Sequence, residues 1–248
     1  MIWRKANTTR DHKIQPFVTV VNHLRPPMPQ NVTRRRLIAG LPFVLAGCGA
    51  VASDPGSRDT APRNASIYGR IKDPPFTISA LDLAVIDPRV LRQEVPYDGN
   101  YAPGTVVVSI AEHRLYLIED GRRALRFGVG VGRAEALNFR GSATIGRKVK
   151  WPSWTPTPNM IARIPKYAAY ADGMRGGPNN PLGARALYLY RDAQDTNFRI
   201  HGTNEPSSIG KAVSSGCIRL FNHDIIYLYD RLAVGTSVIV QHNGIESS

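Results

Sequence analysis

From Gly104 to Val131 the chain is written in short β-branched or alternating runs separated by turns, which restricts it to strands. Thr105-Val106-Val107-Val108-Ser109-Ile110 is β-branched almost throughout, and such side chains crowd a helix but pack well on a pleated surface. Arg114-Leu115-Tyr116-Leu117-Ile118 alternates in part, Glu119-Asp120-Gly121-Arg122 is a turn, and Ala124-Leu125-Arg126-Phe127-Gly128-Val129-Gly130-Val131 follows it. Strands this short with Asp-Gly punctuation predict an antiparallel meander. Further strands are expected at 186–190, 198–201 and 236–241. One helix precedes the last strand. Asn222 is placed to cap it, Asp224 suits its positive end, Ile225, Ile226, Leu228, Tyr229 and Leu232 form its apolar face, and Gly235 ends it. The expectation is a mainly β domain over residues 104–243, long enough for one core.

The segments around that domain have other compositions. Residues 151–183 carry Trp151, Trp154, six prolines and four glycines, which reads as a long constrained loop of the kind that shapes or covers a site. Residues 49–75 are rich in Ser, Pro, Gly, Asp, Arg and Asn and read as a tether unable to bury a core. Residues 76–103, broken by Pro88, Pro96 and Pro103, read as an extended arm packed on the domain. At the start, Thr33-Arg34-Arg35-Arg36 leads into the apolar stretch 37–46, too short to span a bilayer. This resembles a twin-arginine export signal, and Leu45-Ala46-Gly47-Cys48 resembles a lipobox with Cys48 as the lipidated residue. Residues 1–48 are therefore read as an export signal, with Met28 an alternative start.

The charge follows the same division. The chain holds 32 Lys and Arg against 19 Asp and Glu, a net +13. Residues 1–47 contribute 8 of the basic and 1 of the acidic residues, so the remainder is only moderately basic. Nucleic-acid binding loses its support, and an anionic polymer outside the cell becomes the better partner. The six histidines show no zinc spacing, and neither a metal nor a cofactor is expected.

Cys217 is the chemically informative residue. The chain has two cysteines, and if Cys48 is part of a processed signal, Cys217 has no disulfide partner within the chain. A lone thiol in an exported protein suits a nucleophile. His201 lies sixteen positions earlier, at the end of an expected strand, with a Gly- and Ser-rich loop between them. An imidazole in reach removes the thiol proton, and the thiolate attacks an acyl carbon. The oxyanion then needs donors, and the backbone N–H groups of Ser215, Gly216 and Cys217 are candidates. The carbonyl near Gly202 is a candidate to orient the imidazole, no acidic residue being compelling.

Ile200-His201-Gly202-Thr203, then Ser214-Ser215-Gly216-Cys217-Ile218-Arg219-Leu220 and Asn222, resemble the L,D-transpeptidase catalytic domain of the YkuD type. The resemblance runs over roughly residues 104–241 and includes Arg114–Leu117, Trp154–Pro158, Gly176–Gly183 and Gly235–Val238. It implies a β-sandwich with a Cys nucleophile, Cys217, and a His base, His201. It also implies cleavage of the bond after the third residue of a peptidoglycan stem, commonly diaminopimelate, with release of D-Ala. An amine of another stem or of an envelope protein would then take the acyl group; water as acceptor would make a hydrolase. Two positions depart from the common pattern, Ser215 where many members have His and Arg219 where many have Asn. Arg219 is read either as a carboxylate ligand or as half of a structural ion pair. Trp154 and Tyr188 are read as groove-lining or core aromatics, Ser214 as a substrate-binding or loop-orienting group, Ser215 as an oxyanion or loop-orienting group, both alternatively as small residues in a turn, and Met174 as a lid or gap-filling residue. The resemblance places the protein in the periplasm, with membrane contact only through a lipid anchor.

Overall fold

In the computed structural model, the structure describes residues 60–242. In chain order these form helix α1 (Thr60–Ile67), strands β1 (Ile71–Asp73), β2 (Phe76–Ile78), β3 (Gln93–Pro96), β4 (Val106–Ser109), β5 (Arg114–Glu119), β6 (Arg123–Gly128), β7 (Val131–Gly132) and β8 (Gly141–Lys150), helix α2 (Pro158–Arg163), strands β9 (Arg185–Arg191), β10 (Gln194–His201), β11 (Ala212–Ser214) and β12 (Ile218–Arg219), helix α3 (Asn222–Arg231) and strand β13 (Ser237–Gln241). The expected meander is present: β4, β5 and β6 are antiparallel neighbours, with Val106 opposite Leu117 and Leu115 opposite Phe127. Its turn is built on Gly121 and Arg122, both at positive φ.

Nine strands form one mixed sheet in the order β12-β10-β9-β8-β13-β4-β5-β6-β3. The layered packing of a sandwich is reached within this one sheet, because both halves feed a single apolar core. Val106, Val108, Leu115, Leu117, Leu125 and Phe127 from one half meet Ile145, Leu187, Leu189 and Ile200 from the other, with Ile225, Leu228 and Leu232 of the α3 region among them. The alternate positions of the first half, Val107, Tyr116, Ile118 and Ala124, are covered by Tyr97, Val95 and Tyr101 of the arm. All of β4 is therefore buried, which explains a run of valines in place of alternation.

The structure changes several expectations. The ten-residue strand β8 was not foreseen, since Gly141-Ser142-Ala143-Thr144-Ile145-Gly146 carries two glycines. The tether does not extend to residue 75. Tyr68 is 1 % exposed in a cluster with Val90, Leu91, Ile209 and Phe221, and Asp73 pairs with the buried Arg185 through two 2.7 Å bonds. Strand β3, within the segment read as an arm, pairs antiparallel with β6 and forms one edge of the sheet. Asn222 is the first residue of α3 rather than its cap; Phe221 holds the cap position and supplies no side-chain bond. The helix stops at Arg231, and Gly235 turns the chain into β13 at φ 94°. Asp224 is fully buried, bonded to the Tyr68 hydroxyl, so it serves the docking of the arm as much as the helix end. The segment 151–183 contains α2, a 3-10 turn at Pro165–Tyr170 and a backbone bridge between Trp154 and Met174. No helix among the described residues is long and apolar enough to cross a membrane. The proposed signal, with Met28, the twin arginine and Cys48, lies outside the described residues.

Candidate active site

Parallel pairing of β12 with β10 is what joins the two halves of the Cys–His pair. Ile200 lies opposite Ile218 and His201 opposite Arg219. Continued back by one residue, the register sets Cys217 opposite Arg199. Opposed residues share a face, so Cys217, Arg199, His201 and Arg219 stand on one side while Ile200 and Ile218 enter the core on the other. His201 is thus the diagonal neighbour of Cys217, about 7–8 Å away at the backbone and within side-chain reach.

His201 is 3 % exposed and held from behind. Its Nδ1 lies 2.6 Å from the Gly202 carbonyl. A carbonyl only accepts, so Nδ1 carries the proton and the neutral ring keeps Nε2 as its base. Burial pushes the imidazole down to about 3, helped by the Arg219 charge and opposed by the bond to Gly202. Burial also pushes the Cys217 thiol above its ordinary value, while the Arg199 backbone N–H and the Arg199 and Arg219 charges pull it back. Both shifts favour the neutral forms, which suits general-base activation during attack better than a standing thiolate–imidazolium pair.

The Gly202 loop is itself clamped by Asn222. Its Oδ1 accepts from the Ala184 N–H at 2.9 Å, and its Nδ2 donates to the Thr203 carbonyl at 3.0 Å. A Cβ on Gly202 would lie 2.2 Å from that Oδ1, so glycine is required for the close approach. The sequence reading took Asn222 for a helix cap and missed this role; a side chain acting across 19 and 38 residues leaves no local signal.

The loop before the thiol is shaped by Ser214. Its buried hydroxyl donates to the Cys217 carbonyl at 2.7 Å and accepts from the Gly216 N–H at 3.0 Å. Ser214 thus spends its hydroxyl inside the loop, which favours its loop-orienting reading over substrate binding. The Gly216 N–H is turned into the loop, which leaves Ser215 and Cys217 as the oxyanion-donor candidates. Gly216 is at φ 127°, and a Cβ there would meet the Leu137 carbonyl at 2.2 Å.

The remaining candidates separate. Arg219 makes an ion pair with Glu205 at 3.2 Å, the structural alternative. Trp154 is 8 % exposed and packs edge-on to Tyr167 at 5.0 Å, within its own loop. Met174 is half-buried and shares that loop's backbone bridge. Tyr188 lies opposite Arg199 on the face that carries Cys217. Arg199, which sequence reasoning passed over, could have been found: it alternates with Ile200 in step with His201. Among the described residues no group of three or more His, Cys, Asp or Glu could hold a metal ion.

A family model described as the YkuD L,D-transpeptidase catalytic domain matches residues 103–240, more than half of the chain. The probable L,D-transpeptidase ErfK/SrfK of Escherichia coli K12 is 41 % identical over 136 residues, 54 % of this chain and 42 % of that protein. The chain thus spans less than half the length of this curated relative. A solved structure from Brucella melitensis, described as a probable carnitine operon oxidoreductase, is 46 % identical and is matched over 64 % of this chain and 99 % of that one, with a TM-score of 0.43. L,D-transpeptidase 3 of Mycobacterium tuberculosis is 21 % identical, matched over 56 % of this chain and 60 % of that one, with a TM-score of 0.41. With the family model covering α3, His201, Cys217 and the sheet strands from β4 onward, the chain belongs to the YkuD family of L,D-transpeptidase catalytic domains.

Proposed function

We propose that the protein is a peptidoglycan L,D-transpeptidase with Cys217 as nucleophile and His201 as base. The observation that carries this reading is their placement as diagonal neighbours on one sheet face, with the His201 tautomer held by the Gly202 carbonyl. In the first half-reaction Nε2 takes the thiol proton as Sγ attacks the carbonyl of the third stem residue, and the Ser215 and Cys217 N–H groups face the developing oxyanion. The tetrahedral adduct collapses, the peptide C–N bond breaks, and the departing D-Ala amine receives the proton from His201. In the second, an acceptor amine attacks the thioester, loses its proton to Nε2, and the thiol is restored. Arg199 and Arg219 favour the thiolate as it forms.

Export as a twin-arginine-like precursor, a periplasmic location and lipidation at Cys48 belong to the same proposal. The moderately basic balance after residue 47 and the spacer from residue 49 support it, since a membrane-held domain must reach the wall. Replacing Cys48 with Ala is expected to release active enzyme into the soluble periplasmic fraction; continued membrane association would remove the lipid anchor from the reading. The catalytic proposal is tested by incubating the protein with disaccharide-tetrapeptide, with Cys217→Ala as control. Mass spectrometry is expected to show cross-linked dimer with loss of D-Ala. Tripeptide alone would mean that water resolved the thioester, as in a hydrolase or an enzyme lacking its protein acceptor, and unchanged tetrapeptide would refute the assignment.

A further inference from the structure

The row of residues that begins at Cys217 does not stop at β10. Arg199 is the antiparallel partner of Tyr188 on β9, and Tyr188 is the partner of Arg147 on β8. Cys217, Arg199, Tyr188 and Arg147 therefore form one line across four strands on one face. Arg147 reaches that face through a β-bulge. Thr144 pairs with Tyr190, Ile145 with Leu189, and then Arg147, not Gly146, pairs with Tyr188. Ile145 points into the core, so strict alternation would have sent Arg147 after it; the extra residue turns it outward. Glycine is needed at the bulge because a Cβ at Gly146 would lie 2.3 Å from the Tyr190 ring.

The two arginines of the row are not equivalent. Arg199 is committed: its guanidinium bonds Asp195 at 2.6 and 2.9 Å and the Phe198 carbonyl at 2.9 Å, and it lies 4.0 Å from the Tyr188 ring centre. Arg147 is exposed and rests on the same ring, 4.9 Å from its centre. Stacking holds a guanidinium plane in place while its N–H edge stays available for a carboxylate. Adjacent strands are about 4.8 Å apart, so the Arg147 backbone is about 14 Å from that of Cys217, and the long side chain shortens the gap. The carboxylate on a side chain one residue upstream of the attacked carbonyl lies about 8 Å from that carbon when extended, and contacts of about 3 Å at each end bring the span to about 14 Å.

We infer that Arg147, stacked on Tyr188, is a carboxylate subsite for the acyl-donor peptide. Its ligand is the free carboxylate on the residue preceding the one whose carbonyl is attacked, the glutamate of a peptidoglycan stem. The inference rests on the transpeptidase reading for the identity of the peptide, and its test is made without turnover. In the Cys217→Ala background, binding of disaccharide-tetrapeptide with a free glutamate carboxylate is compared with that of the same compound amidated at this carboxylate. The free acid is expected to bind about tenfold more tightly, and Arg147→Gln to abolish the difference while leaving the amide unaffected. Arg147→Lys should restore only part of it, since an ammonium lacks the planar fork. Equal binding of the two compounds, no binding of either, or discrimination that survives Arg147→Gln would overturn the subsite. Discrimination lost in Arg147→Gln, together with no D-Ala release by the Cys217 enzyme, would leave the subsite standing and refute the transpeptidase reading instead.

Discussion

Gly216→Ala should disable the protein by moving Cys217, the proposed nucleophile, not by touching substrate. Gly216 is at φ 127°, where an L side chain is strained by about 1–3 kcal/mol. The new methyl would also meet the Leu137 carbonyl at 2.2 Å and the Phe198 ring at 3.0 Å. Backbone does not yield as a flexible side-chain tip does, and overpacking of this kind costs about 1–3 kcal/mol more. A total of about 3 kcal/mol would lower Tm by roughly 6–12 °C in a domain of this size. The relief available to the loop is to lift residues 215–217, which breaks the 3.0 Å bond from the Gly216 N–H to Ser214 and displaces Cys217 from its place beside Arg199. Gly121→Ala is the control. Its φ is 71°, yet nothing lies within 4 Å of the added methyl, so it carries backbone strain alone. Thermal unfolding and the rate of Cys217 alkylation by iodoacetamide are measured on both. The reasoning predicts a larger loss of Tm for Gly216→Ala and a changed alkylation rate in that variant only. Equal Tm values in the two variants, with unaltered thiol reactivity, would refute the steric argument.

Three other predictions follow from buried ionisable groups. With the Cys217 thiol pushed up and His201 pushed down to about 3, alkylation of Cys217 should keep accelerating above pH 8.5; a plateau below pH 7 would reveal a resting ion pair instead. Asp224 is raised to about 7 by burial, so the folded state binds a proton the unfolded chain has released; its contribution should destabilise progressively from about pH 4 to pH 7, and Asp224→Asn should flatten that part of the stability curve in urea titrations. Asp73 has the opposite sign. Its bond to Arg185 holds the carboxyl below the usual range, so its stabilisation is present at neutral pH and lost as the carboxyl protonates in acid. Asp73→Ala leaves the 2 %-exposed Arg185 unpaired and should cost about 3 kcal/mol at pH 7, read as a lower denaturant midpoint; an unchanged midpoint would show that water replaces Asp73.

What the amino-acid sequence determined by itself is local or chemical. The β-branched runs, the Asp120-Gly121 turn and the apolar face of α3 set most of the strands and the helix, because propensity and period act over a few residues. The Ser-Gly-Cys and His-Gly elements pointed to Cys217 and His201 as the candidate nucleophile and base, because such chemistry admits few residue types. Only the tertiary structure decided which groups stand beside them. Parallel pairing of β10 with β12 sets Arg199 against Cys217, the bulge at Gly146 turns Arg147 onto Tyr188, and Asn222 holds Gly202 from the start of α3. Each is a contact across strands or between distant segments, fixed by register, and a change of register by one residue would send the same side chain to the opposite face. The orientation of the Gly216 N–H and the Ser214 hydroxyl was open in the sequence for the same reason, since whether a donor faces substrate or its own loop depends on the backbone path and not on residue type.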